Sequence, residues 1–226
     1  MPPPGFSTIA FDGPETINGK PAIYLTFDDG PEPGSTNLVL DALAKTNTPA
    51  TFSTIGSIIS DTAASKALVK REIAQGSTVG AHGWMHLDMS KWTRAADREA
   101  LTKVKNEIEK VTGLAPTCSR PPYGSYSGNL SWETSHLGMR IQRWTGDTED
   151  WARPDPDAIM KTITKSWKPG YVILLHDGGN HGAVTAQVVP RIVAEAKKRG
   201  YVIGNNLCPM TTDLNLTTAP LPPTSS

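Results

Sequence analysis

Short, unbroken apolar runs alternate with helical patterns along most of this chain, and that alternation constrains the fold more than any other feature. Residues 22–27 (Ala-Ile-Tyr-Leu-Thr-Phe), 50–54, 78–81, 118–120, 139–144, 171–175 and 201–203 read as strands. The run Tyr171-Val-Ile-Leu-Leu175 is the clearest of them. Between them lie helical spacings. Ser35 or Thr36 can cap a helix carrying Leu38, Val39, Leu40 and Leu43. Asp61 can cap one carrying Leu68, Val69 and Ile73, closed by Gly76. A long amphipathic helix is predicted over 93–112, ended by Gly113. Asp155-Pro156 starts another, with Pro at the first helical position. The last helix runs to Arg199 and is expected to start late or kink at Pro190. Strands that are apolar throughout are covered on both faces, so the sheet is expected to be mainly parallel, open or closed into a barrel.

A chain of 226 residues with 38% hydrophobic and 19% charged residues fits one domain with a sizeable core. The expected division is an N-terminal extension (1–19), one domain (20–210) and a Thr/Pro/Ser-rich tail (211–226). Lys+Arg and Asp+Glu both number 22, so nothing points to nucleic acid or an anionic membrane as partner. No apolar run approaches the roughly 20 residues that span a bilayer. Met1-Pro2-Pro3-Pro4-Gly5 has neither the basic start nor the apolar stretch of a secretion signal. A cytoplasmic chain and one whose signal segment has been removed both fit. Cys118 and Cys208 are expected, on frequency, as two buried free thiols. A disulfide tying the C-terminal segment to the strand at Cys118 is the alternative and would imply an oxidising compartment.

In parallel α/β folds, chemistry collects at the C-terminal ends of the strands. Polar clusters stand at those ends. Asp28-Asp29-Gly30-Pro31 follows the first strand; it is good turn chemistry, and equally two carboxylates whose repulsion a divalent cation would offset. His82 and His86 follow the third strand at the i, i+4 spacing of a helical turn, which suits one metal ion. With one Asp they would form a site of two histidines and a carboxylate with open positions. Arg120-Pro121-Pro122-Tyr123-Gly124, a stiff loop, follows Cys118. Asp147-Thr148-Glu149-Asp150-Trp151 follows the strand ending near Trp144, and His176-Asp177-Gly178-Gly179 follows the clearest strand, where a general acid or base would stand. Each cluster alone reads as well as a turn or a core histidine. Their recurrence at five strand ends reads as one site.

These clusters resemble the motifs of the NodB-homology polysaccharide deacetylases, carbohydrate esterase family 4. Thr26-Phe27-Asp28-Asp29-Gly30, His82-x-x-x-His86, Arg120-Pro-Pro-Tyr-Gly124, Asp147-Thr-Glu-Asp150-Trp151 and Leu174-Leu175-His176 stand in that family's order. One position departs: Gly83 stands where Ser or Thr usually follows the first histidine. The resemblance implies an α/β fold, a distorted (β/α) barrel of about seven repeats. It implies hydrolysis of acetyl groups on a polysaccharide, chiefly N-acetylglucosamine units of chitin or peptidoglycan, with acetylxylan or a non-catalytic carbohydrate-binding relative as alternatives. Asp29, His82 and His86 would hold a divalent metal, zinc foremost and cobalt next. Asp28 would be the general base, oriented by Arg120. His176 would be the acid, tuned by Asp150, and the Tyr123 N–H would hold the oxyanion. Tyr123, Trp151, Leu174 and Pro122 would wall the sugar site, with Trp84 as a further surface. A monomer, secreted or cell-wall associated and lacking its signal segment here, is the expected form, with a cytoplasmic location as the alternative.

Overall fold

Twelve strands and seven α-helices follow one another in the computed structural model, which describes residues 9–212. In chain order, β1 (Ile9–Ala10), β2 (Thr16–Ile17) and β3 (Lys20–Asp28) come first. They are followed by α1 (Thr36–Thr46), β4 (Thr51–Thr54), α2 (Gly56–Asp61), α3 (Ala63–Ala74), β5 (Thr78–Ala81) and α4 (Arg94–Thr112). Next come β6 (Ala115–Pro116), β7 (Cys118–Ser119), a single 3-10 turn (Pro122–Gly124), α5 (Gly128–His136), β8 (Arg140–Gln142) and β9 (Gly146–Asp147). The chain continues through α6 (Pro156–Ile163), β10 (Tyr171–His176), α7 (Gly182–Lys198), β11 (Val202–Ile203) and β12 (Met210–Thr211).

The main sheet runs β1-β8-β7-β5-β4-β3-β10-β9, every neighbouring pair parallel. β11 also lies parallel to β3, and β2 is antiparallel to it. β8 and β9 sit near opposite ends of this order, yet only residues 143–145 join them. So short a link reaches roughly 14 Å at full extension, so the sheet must curl until its ends face each other. The result is an α/β fold, an incomplete and distorted (β/α) barrel with its helices outside.

Strand alternation sorts the side chains. On β3, Ile23, Leu25 and Phe27 face outward into the largest core, with Val39, Leu40 and Leu43 of α1 and Val188, Val189 and Ile192 of α7. Phe27 stacks on Phe52 at 5.1 Å between ring centroids. A second core joins Leu101, Val104 and Ile108 of α4 to Val79, Leu130 and Ile141. The other face of β3 carries Tyr24, Thr26 and Asp28 into the barrel. Tyr24 closes its lower end against Cys118, Val172 and Leu207, and its hydroxyl donates to the Pro14 carbonyl.

Several sequence expectations are corrected. Cys118 and Cys208 are not free thiols but a disulfide, with Cα atoms 5.6 Å apart. After β11 the chain returns beneath the barrel, buries Leu207, and pairs β12 with β6, which brings the two cysteines together. The helix expected to be disturbed at Pro190 is a single element that begins eight residues earlier. Val184, Val188, Val189 and Ile192 are buried on both sides of the proline, which itself faces solvent. That burial offsets the roughly 3 kcal/mol a proline costs inside a helix. Thr62, not Asp61, caps α3, because a short helix, α2, occupies the preceding residues. The run 139–144 is not one strand: it supplies β8, then crosses toward β9. Within the expected extension, 9–10 and 16–17 are strands; residues 1–8, and the expected tail beyond 212, lie outside the described residues. Among the described residues no helix is long and apolar enough to cross a membrane.

Candidate active site

Asp28 ends β3 inside the barrel and is almost fully buried. A buried carboxylate needs a partner, and Arg120, equally buried just past β7, supplies it. Its Nη1 donates to Asp28 Oδ1 and to Thr26 Oγ1, both at 2.8 Å. Its Nε donates to the Gln142 carbonyl at 3.0 Å and its Nη2 to the Arg143 carbonyl at 3.2 Å. The fork therefore bridges β3 to the link between β8 and β9 and fixes the Asp28 carboxylate. The next residue, Asp29, takes φ +76°, so the two carboxylates part company at the strand end. Glycines permit this turn: a Cβ on Gly178 would lie 2.1 Å from the Asp29 carbonyl oxygen, and one on Gly30 would lie 2.0 Å from Asp177 Oδ2.

Asp29 faces His82 and His86. Its Oδ1 stands 3.1 Å from His82 Nε2 and 3.3 Å from His86 Nε2. That oxygen is buried with no hydrogen-bond partner, so the separations are short but the directions are not those of hydrogen bonds. One donor atom from each of the three residues falls within 4.8 Å of the others. His82 is buried and its Nδ1 donates to the Arg120 carbonyl at 2.5 Å, which leaves Nε2 as the lone-pair nitrogen. Two imidazoles and an orphaned carboxylate oxygen converging on one point are a donor set that fits a divalent transition metal. Burial opposes ionisation of Asp29, but the adjacent His82, with the charges of His176 and His86, outweighs it and holds the carboxyl at about 2.

The histidines lie in a loop after β5, not on a helical turn as their spacing suggested. The chain reverses at Gly83, whose φ is +77°; a Cβ there would lie 3.1 Å from the Met85 carbonyl oxygen. The same loop turns Trp84 away from the histidines. Trp84 packs over Gly56 under the Lys103 ammonium, 4.0 Å from its ring.

His176 ends β10, with its Nδ1 donating to Asp150 Oδ1 at 2.7 Å. Asp150 is wholly buried; its Oδ2 also accepts the His176 backbone N–H at 2.8 Å and the Thr185 hydroxyl at 2.9 Å. Burial alone would lower the imidazole pKa, yet the Asp150 bond and charge, with Asp28 and Asp29 beyond, raise it to about 9. Asp150 in turn is held below its usual value despite burial.

A cleft of about 400 Å³ joins these groups. Asp28, Asp29, His82, His86, Tyr123, Trp151, Leu174 and His176 open onto it. Arg120 and Asp150 support it from beneath, through the bonds already described. Tyr123 takes φ +60° in the 3-10 turn, at a position whose N–H has no carbonyl within the turn to bond. Its ring meets His86 edge-on at 4.5 Å. Pro122 is buried and is not among the residues lining the cleft; it stands 3.6 Å from where a Gly83 Cβ would be. Trp144, Asp147 and His181 line the cleft although the sequence reading gave them no role. For Asp147 the sequence carried no signal of this: it is the register with Leu174 across β9 and β10 that puts both on one face.

Residues 16–142 match the family model described as polysaccharide deacetylase. The chitooligosaccharide deacetylase of Sinorhizobium fredii (strain NBRC 101917 / NGR234) is 35% identical over 204 residues, covering 84% of this chain and 92% of that protein. The peptidoglycan-N-acetylglucosamine deacetylase of Listeria monocytogenes serotype 1/2a (strain 10403S) is 34% identical over 179 residues, covering 79% of this chain but 36% of that longer protein. The crystal structure of a peptidoglycan N-acetylglucosamine deacetylase in complex with 4-naphthalen-1-yl-N-oxidanyl-benzamide superposes with a TM-score of 0.80 at 29% identity, over 87% of this chain and 90% of that one. With more than half its length matched by the family model and relatives of this identity along most of the rest, the chain belongs to the polysaccharide deacetylase family.

Proposed function

We propose that this protein hydrolyses the acetyl group from N-acetylglucosamine units of a chitin- or peptidoglycan-type polysaccharide, using a divalent metal, zinc first and cobalt second, held by Asp29, His82 and His86. The observation that carries this reading is the division of the two adjacent carboxylates. Asp29 turns its unpartnered oxygen to two imidazole nitrogens, while Asp28 stays fixed by Arg120 on the floor of the same cleft.

When bound, such an ion supplies Lewis acidity: the acetyl carbonyl becomes more electrophilic and a water more acidic. The chain's own groups do the rest. Asp28 takes the proton of the attacking water, and Arg120 holds its carboxylate in the orientation to do so. The Tyr123 N–H stabilises the developing oxyanion; Tyr123 lines the cleft, and its N–H bonds no carbonyl of its own turn. His176, kept protonated by Asp150, gives its proton to the departing amine. Tyr123, Trp151 and Leu174 enclose the sugar and the acetyl methyl, since aromatic faces suit pyranose rings.

The proposed unit is a monomer with one catalytic domain, placed at 20–210 on the sequence pattern. The Cys118–Cys208 bridge supports an oxidising, extracytoplasmic location, secreted or at the cell wall. The test is acetate release from chitin oligomers, peptidoglycan and acetylxylan, with defined metals and with chelator. Release from the first two that chelator abolishes is expected. No release from any of the three by verifiably metal-loaded protein would sink the proposal.

A further inference from the structure

Two polar side chains that carry no part of the proposed chemistry flank His176 in the cleft. Asp147 lies on β9 opposite Leu174 of β10, in parallel register. Residues 174 and 176 share a face of β10, so the Asp147 carboxyl stands on the His176 side of the sheet. Its Oδ1 accepts the Glu149 N–H at 2.9 Å, at a turn where Glu149 takes φ +54°. Its Oδ2 has no partner among the described residues and is not buried away from the cleft. His181 lies on the other flank, at the start of α7, with its ring centroid 6.0 Å from that of His176. Gly179 makes room for it: a Cβ there would meet the His181 ring at 3.1 Å. No hydrogen bond engages that ring among the described residues. A half-buried carboxylate oxygen and an imidazole, both open to a cleft walled by Trp144, Trp151 and Leu174, are what a pyranose hydroxyl needs: an acceptor and a reversible donor or acceptor beside apolar walls.

We propose that Asp147 and His181 bind hydroxyl groups of the pyranose that carries the acetyl group, and so set which sugar is accepted. This rests on the deacetylase reading above. Asp147 has a competing role as the acceptor that shapes the 147–150 turn, and the choice of variant separates the two. Asp147→Asn keeps an Oδ1 acceptor for the Glu149 N–H but replaces the free oxygen with a donor. Tetra-N-acetylchitotetraose and 4-nitrophenyl acetate, an acetyl ester with no sugar, are compared on wild type, Asp147→Asn and His181→Gln at a pH where activity is flat. KM for the tetrasaccharide should rise about tenfold in each variant, the cost of one hydrogen bond to an ionised or polar group. Its kcat, and kcat/KM for the ester, should change less than twofold. An unchanged tetrasaccharide KM in Asp147→Asn, with Asp147→Ala alone impaired and thermally weakened, would make Asp147 a turn-former and overturn the proposal. Calorimetric binding of the tetrasaccharide to Asp28→Asn protein, with and without Asp147→Asn, reads the contact without turnover. A tenfold loss of affinity supports the contact even if no glycan is deacetylated, and equal affinity refutes it.

Discussion

Asp28 and Asp29 are neighbours in sequence, the proposed mechanism gives them opposite work, and a single substitution separates them. Asp28→Asn keeps a side chain that Arg120 can bond but removes the base, so turnover should fall at least 10²-fold while bound metal stays near one per chain. The buried Arg120 would lose its counter-charge, so thermal stability should fall too, by a few kcal/mol at most. Metal content by elemental analysis beside kcat checks this; loss of metal in proportion to activity would refute the division of labour. A second prediction concerns pH. The His176 pKa of about 9 lies above the ordinary 6.5, so its protonated form is favoured by folding. That stabilisation is complete below 6.5 and disappears as pH rises through 9. As the proposed acid, His176 must hold its proton, so kcat/KM should decline on the alkaline side, at a lower pH once a bound cation adds its charge. Asp150→Asn removes the largest of the influences that raise this pKa, leaving Asp28 and Asp29, and should move the alkaline limb down by a unit or more. An unmoved limb would assign it to another group. Residue types at strand ends made Asp28, His82, His86 and His176 visible in the sequence. What spacing could not show is direction. Trp84 stands between the two histidines and faces the other way, because Gly83 reverses the chain, and Asp147 was passed over because only the β9–β10 register turns it into the cleft.

Most elements of two residues were illegible. β1, β2, β6, β9 and β12 are strands only because a neighbour pairs with them, and no two-residue pattern has a period, whereas β7 and β11 fall inside runs that read as strands. The long helix 93–112 was readable to within a residue, since Thr93 caps it by accepting the Ala96 N–H and Gly113 closes it at φ 73°. The disulfide lies between these cases: 90 residues of separation hide it, and only the β12–β6 pairing brings the cysteines together. It also bears on function. Cys118 stands two residues before Arg120 on β7, a strand with few backbone bonds of its own. Bridging so long a loop stabilises by about 2–4 kcal/mol through the unfolded chain. Cys118→Ser/Cys208→Ser protein should therefore melt roughly 5–15 °C lower. Reductant should bring the wild type down to the same temperature. A wild-type melting temperature that ignores reductant, with the bridge verified as opened by mass spectrometry, would contradict this.

At the scale of the molecule, the curled sheet gathers what the chain spreads over 150 residues into one mouth, and the helices outside hold that curvature through two separate cores. Zero formal net charge means that little long-range field steers a substrate, which suits a neutral polymer. On the proposed reading the metal site is a local device, and the fold is expected to stand without the ion. Without metal, His82, whose pKa is raised against the effect of burial by Asp28 and Asp29, can hold a charge 3.1 Å from the Asp29 carboxylate, so attraction rather than repulsion acts across the site. Stripping with a chelator should abolish acetate release while far-ultraviolet circular dichroism is retained. Adding zinc or cobalt should restore activity and raise the melting temperature. The rise follows mass action: at a hundredfold excess over Kd, binding adds about 2.7 kcal/mol, or roughly 5–10 °C for a chain this long. His82→Ala protein should melt at one temperature with or without metal, below the stripped wild type, because the buried Nε2 is gone and its Nδ1 bond to the Arg120 carbonyl with it. If verifiably metal-free protein released acetate at the wild-type rate, Asp29, His82 and His86 would be a buried polar cluster and the hydrolysis would belong to Asp28 and His176 alone.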